Sequence, residues 1–439
     1  MTRIFLAICV ITSMLFTFSC VDKSGTGTTS GGGGDTIKVG VYGDTSGGTS
    51  SFGQSTKNGV QLAFEEINAA GGINGKKLEM LFEDDQGTPE KAKTVISKLI
   101  NQDKVVAVLG EVASSNSLAA APVAQEAKIP MITPSSTNPK VTEVGDYISR
   151  VCFIDPFQGS VMAKFAANTL KAKTAAVLGD NSSDYSKGLT QFFEQEFTKL
   201  GGQVITKQTY AQRDQDFKAQ LTQMRDQKPD VIYIPGYYGE VGIIAKQARE
   251  LGMNQPLLGG DGWDSPELWK LGGAALKPAY ISNHYSADNP APEIQNFVKA
   301  YTAKFTAAPD SLAALAYDSA KVLADAIKRA GGTESVALKN AINATKDFKG
   351  VTGIITLDSS RNAVKSAVVL ELNPGASKFD FNTTIYPEGM TPPAASTTAA
   401  NGNTSANTNT MSNTNSAANA TNSTSTTGNT ANKSITDSK

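Results

Sequence analysis

From about Asp35 to Pro387 the chain alternates two hydrophobic patterns. Short runs are almost continuously apolar: IKVGVYG, KLEMLFEDD, VVAVLG, PMITP, TAAVLGD, VITKQTY, DVIYIPGY and PLLGGDG. Such character in so short a run is what a strand buried on both faces requires. Between the runs, apolar positions recur at helical spacing. Val95, Ile96, Leu99 and Ile100 share one face, and Leu189, Phe192, Phe193, Phe197 and Leu200 share another. Glycines close several of these stretches, as in NAAGGING, KLGG, ELGM and RAGG.

Strand followed by helix, repeated, predicts parallel sheets covered by helices on both sides. The strands are too many for one sheet, so the expected fold is α/β with two doubly wound parallel-sheet lobes. Three segments break the rhythm: YISRVCFIDPFQG (147–159), PAYISNHYSADN (278–289) and VTGIITLDSSRN (351–362). Side by side they would form a three-segment hinge. Lobe I is then expected at 36–154 plus 286–354, and lobe II at 155–285 plus 355–387.

The two ends differ from this pattern. Residues 1–20 join an early arginine to an apolar run from Ile4 to Phe18 and stop at Ser19-Cys20. The run is short for a membrane span and fits a signal peptide. A small residue before Cys20, with the polar linker 21–35 after it, resembles a lipoprotein processing site, and ordinary secretion is the alternative. Lipidated Cys20 would tether the chain to an extracytoplasmic membrane face. Residues 391–439 are almost entirely Thr, Asn, Ser and Ala, too poor in apolar surface to offset their ordering entropy, and are expected to be disordered.

Composition narrows the function. Lys and Arg total 40 against 41 Asp and Glu, a net charge of −1, so no field for nucleic acid is built in. Of three cysteines, Cys9 lies in the leader and Cys20 at the processing site, which leaves Cys152 without a disulfide partner. One histidine, His284, and no G-x-S-x-G elbow leave a Ser-His nucleophile unsupported. His284 reads as a structural residue of a hinge strand. Neither a metal-ligand set nor a phosphate-binding glycine loop follows any strand, so no enzyme chemistry, metal or cofactor is expected.

The candidate chemistry lies at strand ends. After VVAVLG comes GEVASSNS, which sets Ser114 and Ser115 where a helix begins. PMITPSSTNP repeats the device with Ser135, Ser136 and Thr137. At the carboxyl end of a parallel sheet, hydroxyls and free helix N–H groups can hold a carboxylate. Helix capping and turn formation remain the alternative. PLLGGDGWDSPEL puts Asp261 between glycines, where it can meet an ammonium group or simply make an Asp-Gly turn. Phe52, Tyr185, Tyr237 and Tyr238 stand at rim positions where an aromatic ring can cover an apolar group, and Trp263 lies just beyond Asp261.

The stretch from IKVGVYGDTSGGTSSFGQS to LFEDDQGTPEKA, with GEVASSNS, IPMITPSSTNP and GGDGWDSPEL, resembles the branched-chain amino acid binding proteins of ABC transporters, type I periplasmic binding proteins. The likeness runs from about Ile37 to Ile385. It implies a monomeric, two-lobed protein that closes on an amino acid and presents it to an ABC permease. It implies that Ser114 and Thr137 hold the α-carboxylate, and that the Ser135 carbonyl and Asp261 hold the ammonium group. Phe52, Tyr185 and Tyr237 would line the side-chain pocket, with Trp263 nearby. Leucine-binding members carry a longer acid in place of Asp261, a tyrosine in place of Phe52, and a cysteine pair absent here. A sensory receptor without transport and a serine-type hydrolase are the competing classes.

Overall fold

The computed structural model describes residues 36–390. The leader, Cys20, the 21–35 linker and the tail from 391 lie outside the described residues. Among the described residues no helix is long and apolar enough to cross a membrane.

The chain first builds β1 (Ile37–Gly43), α1 (Ser50–Ala69), β2 (Leu78–Asp84), α2 (Pro89–Asn101), β3 (Ala107–Leu109), α3 (Ser114–Ala127), β4 (Met131–Thr133), α4 (Lys140–Glu143) and β5 (Ile148–Arg150). The five strands form one parallel sheet in the order β2-β1-β3-β4-β5. Strand residues alternate between two cores, as the period of two demands. Val39, Val41, Ala107 and Leu109 pack with residues of α1 on one face. Tyr42 and Val108 pack with Val95, Ile96, Leu99 and Ile100 of α2 and with alanines of α3 on the other.

A second parallel set follows: α5 (Asp155–Lys164), β6 (Thr174–Asp180), α6 (Asp184–Lys199), β7 (Gln203–Tyr210), α7 (Lys218–Asp226), β8 (Val231–Tyr233), α8 (Tyr238–Glu250), β9 (Leu257–Gly259), α9 (Pro266–Gly272) and β10 (Ala279–Asn283). Next come α10 (Pro292–Phe305), α11 (Ser311–Ala330), α12 (Ser335–Asn343), the hairpin β11 (Phe348–Gly350) and β12 (Gly353–Ile355), and the pair β13 (Ala367–Asn373) and β14 (Lys378–Ile385). Helix α11 returns to pack along α1 and joins the first sheet's core. The second sheet runs β14-β13-β10-β9-β8-β6-β7.

Each parallel set therefore has its first strand flanked by its second and third, and the order reverses there. Such a reversal opens a crevice beyond the carboxyl ends of the two central strands. The molecule carries two of these crevices.

Two expectations need correction. Strands β13 and β14 pair antiparallel on the edge of the second sheet, so that sheet is not wholly parallel. Leu200 is 37 % exposed at the C-cap of α6, while Leu189, Phe193 and Phe197 are buried. The helix ends one residue before its apolar stripe does.

The close approach of α1 to the end of β1 depends on Gly53. A Cβ there would come within 1.9 Å of the Asp44 carbonyl oxygen. Gly53→Ala is expected to destabilise the fold by about 1–3 kcal/mol, the usual cost of overpacking. The change would be read as a lowered urea midpoint, and an unshifted midpoint would show that the start of α1 can move aside.

Candidate functional site

The two crevices meet at one tight cavity with about 10 Å³ of free space. Its wall comes from Phe52, Val112, Ser135, Tyr185, Tyr237, Asp261, Gly262 and Leu312. Phe52 follows β1, Val112 follows β3 and Ser135 follows β4. Facing them, Tyr185 follows β6, Tyr237 follows β8, and Asp261 and Gly262 follow β9. Leu312 stands in the first turn of α11. That is room for about one water, so the walls must part to admit anything larger.

Direct hydrogen bonds hold the two sides together around it. Ser115 Oγ donates to Asp184 Oδ2 at 2.9 Å and Asn138 Nδ2 to the Asp184 carbonyl at 2.8 Å. Ser265 Oγ donates to Ser51 Oγ at 2.9 Å, and the Ser51 N–H to Tyr238 Oη at 3.2 Å. The cleft is closed.

On the first side, the serines knit two strand ends into one rigid wall. The Glu111 carbonyl accepts from Thr133 Oγ1 at 2.6 Å and from Ser136 Oγ at 2.9 Å, and Ser136 Oγ lies 2.7 Å from Ser117 Oγ. Ser114 is not a cap. Its Oγ accepts the Asn138 N–H at 3.2 Å, and the N-cap position of α3 is Ala113, whose side chain caps nothing. The first turn of α3 therefore starts beside Val112 without a side-chain cap, the arrangement in which a helix end can take an anion. Ser135 Oγ and Thr137 Oγ1 are buried and have no hydrogen-bond partner.

On the second side stands Asp261, 4 % exposed. Its Oδ1 accepts from Gln158 Nε2 at 2.7 Å and from Tyr185 Oη at 2.8 Å, and its Oδ2 lies 2.9 Å from His284 Nε2. Burial pushes the Asp261 carboxyl up, but His284, by its hydrogen bond and by its charge when protonated, together with the hydrogen bonds from Gln158 and Tyr185, outweighs it and holds the group below the usual carboxylate range. Burial, with Asp261 nearby, raises Tyr185 well above its ordinary value and keeps its hydroxyl a donor. The aromatic wall is continuous: Tyr185 stacks on Tyr237 at 5.3 Å, and Phe52 meets Tyr237 and Tyr238 edge-on at 5.9 and 5.0 Å.

Of the eight residues expected at the site, Phe52, Ser135, Tyr185, Tyr237 and Asp261 line the cavity. Ser114, Thr137 and Trp263 do not. Trp263 is wholly buried behind the wall, its Nε1–H donating to the Ile234 carbonyl at 3.0 Å. The absence of a side chain at Gly259 makes room for it, since a Cβ there would meet the indole at 2.1 Å. Sequence reasoning missed Val112, Gly262, Leu312 and Gln158, and it treated His284 as hinge structure. One signal was available: His284 directly follows a strand, β10, just as Asp261 follows β9.

Geometrically, the cavity offers an unpartnered hydroxyl and an uncapped helix start on one side, an ionised acid on the other, and apolar rings between. A small zwitterion with an apolar substituent is complementary to all three.

A family model described as periplasmic binding protein matches residues 36–378. The chain is 35% identical over 302 residues to an amino acid binding protein of Pseudomonas aeruginosa, which covers 68% of this chain and 80% of that protein. Its fold is similar to the leucine-binding protein LivK of Thermotoga maritima, with a TM-score of 0.77, 42% identity, and coverage of 81% of this chain and 100% of the other. The branched-chain amino acid substrate-binding protein LivJ of Streptococcus pneumoniae, solved with isoleucine, gives 0.76 and 36% over 80% of this chain and 100% of its own.

Proposed function

The chain belongs to the periplasmic binding protein family, and from that premise we propose that it captures an aliphatic, branched-chain amino acid by lobe closure and delivers it to an ABC permease. The observation that carries this reading is the small cavity with ionised Asp261 on one side and the unpartnered Ser135 hydroxyl on the other. The names and bound isoleucine of the relatives support the same ligand class.

In this reading the amino acid's carboxylate meets the start of α3 and the Ser135 hydroxyl, and its ammonium group meets Asp261 and the Ser135 carbonyl. Phe52, Val112, Tyr185, Tyr237 and Leu312 surround the side chain. A ligand that touches both sides binds the closed form more tightly than the open one, and that difference shifts the population towards closure. Closure is what a permease can recognise, so no bond need be broken. In this reading Cys20 supplies a lipid anchor that keeps the monomer at an extracytoplasmic membrane face.

Isothermal titration of the purified chain against leucine, isoleucine, valine, urea and benzoate tests the reading. The three amino acids are expected to bind stoichiometrically and the other two to give no heat. Binding of benzoate or urea in place of the amino acids would overturn it.

A further inference from the structure

We infer that His284, the chain's one histidine, is a positioning residue that aims Asp261 and thereby sets the site's preference for ligands bearing an ammonium group over the same acids without one. The inference rests on the amino acid reading above.

A carboxylate offers about four acceptor sites. Three of those on Asp261 are taken, two on Oδ1 by Gln158 and Tyr185 and one on Oδ2 by His284. The remaining site is on Oδ2, the oxygen that His284 holds. The imidazole therefore governs where the open lone pair points.

The ring is itself fixed. It is buried and stacked on Phe153, with centroids 3.8 Å apart and planes 21° from parallel. The backbone N–H of His284 donates to Asn283 Oδ1 at 2.8 Å. Since the ionised carboxylate can only accept, Nε2 must carry the proton. Nδ1 is then the bare nitrogen, and it has no partner.

The charge state matters as much as the position. An imidazolium would be a counter-ion and would cancel the charge that attracts an ammonium group. Two charged groups bear on the ring, Asp261 and the buried Lys365, and burial together with Lys365 outweighs Asp261 to keep the ring neutral. Among the described residues no lysine or arginine pairs with Asp261. Three neutral donors thus orient the acid and leave its charge uncancelled.

The adjacent residue extends the clamp. Asn283 Nδ2 donates to Asp264 Oδ2 at 2.8 Å, and the same oxygen accepts the Ser311 N–H at 2.8 Å at the start of α11. Two consecutive residues at the end of β10 therefore fasten both acids of the segment 261–264, one to the cavity and one to α11.

The test compares leucine with 4-methylpentanoate, which has the same carbon skeleton and no ammonium group. For His284→Ala, leucine affinity is expected to fall about tenfold or more, the scale of one hydrogen bond to a charged group, while 4-methylpentanoate changes by less than about twofold. His284→Gln, which can still donate, should recover most of the loss. Equal losses for both ligands would make His284 merely structural and overturn the inference. Nitrogen NMR of the wild-type protein needs no variant: one neutral imidazole protonated at Nε2 is expected at pH 7, with a shift on adding leucine. An imidazolium or an Nδ1–H form would overturn the inference while leaving amino acid binding intact. Wild-type protein that takes no leucine would overturn the ligand reading and this inference together.

Discussion

Asp261→Asn is expected to weaken leucine binding roughly a hundredfold or more, because truncating one partner of a buried, hydrogen-bonded charge pair costs about 2–5 kcal/mol. Two losses combine. The ammonium group would lose its counter-charge, and an amide placed among three donors must turn its NH2 towards one of them. With Oδ1 held by Gln158 and Tyr185 and Oδ2 by His284, the NH2 can face only His284, whose ring must then move its proton to Nδ1, where it has no partner. Tyr185→Phe removes one donor and leaves the charge, so its loss should be about tenfold or less. Titration calorimetry on both variants separates the effects. Equal, small losses would mean that Asp261 does not meet the ligand's cation.

Asp155→Asn should stabilise the protein, and increasingly so as pH rises. Asp155 opens α5, is wholly buried, and neither carboxyl oxygen has a hydrogen-bond partner of good geometry. Burial pushes its pKa to about 8, with the Asp261 charge acting the same way and the Thr137 hydroxyl and Arg150 opposing. In the unfolded chain it would titrate near 3.9. Below that value the group is neutral in both states and the substitution changes little. Between about pH 4 and pH 8 the unfolded chain releases a proton that the folded chain keeps, so wild-type stability falls with rising pH through this window and levels off above it. Asparagine imitates the neutral acid at every pH. Its advantage should therefore grow from near zero at pH 4 towards about 5 kcal/mol at pH 8. Urea midpoints of both proteins across that range measure it, and an advantage that does not vary with pH would rule out a buried, protonated Asp155.

The α/β architecture was legible because parallel strands buried on both faces leave an unmistakable pattern: nearly unbroken apolar runs such as VVAVLG and TAAVLGD. Strands β13 and β14 were not legible. They lie antiparallel at a sheet edge, and β14 carries the half-exposed sequence KFDFNTTI, which reads as neither a buried run nor a helix. Five of the eight expected site residues line the cavity because ligand sites in open parallel sheets follow strand ends, which sequence can locate. Trp263 shows the limit: two residues past the acid, its ring turned away from the cavity into room left by Gly259.

By itself the sequence determined most of the strands and helices, that two largely parallel sheets are needed, and which short turns carry hydroxyls, an acid and aromatic rings. Those properties are local, written in hydrophobic period and turn chemistry over a few residues. Only the tertiary structure decided that the two sets of strand ends face one another, that Ser114 braces Asn138 instead of capping a helix, and that Gln158, Tyr185 and His284 converge on one carboxylate. Gln158, Asp261 and His284 are far apart along the chain and meet only when β9, β10 and the start of α5 have packed, so no local pattern could announce the contact that keeps Asp261 charged.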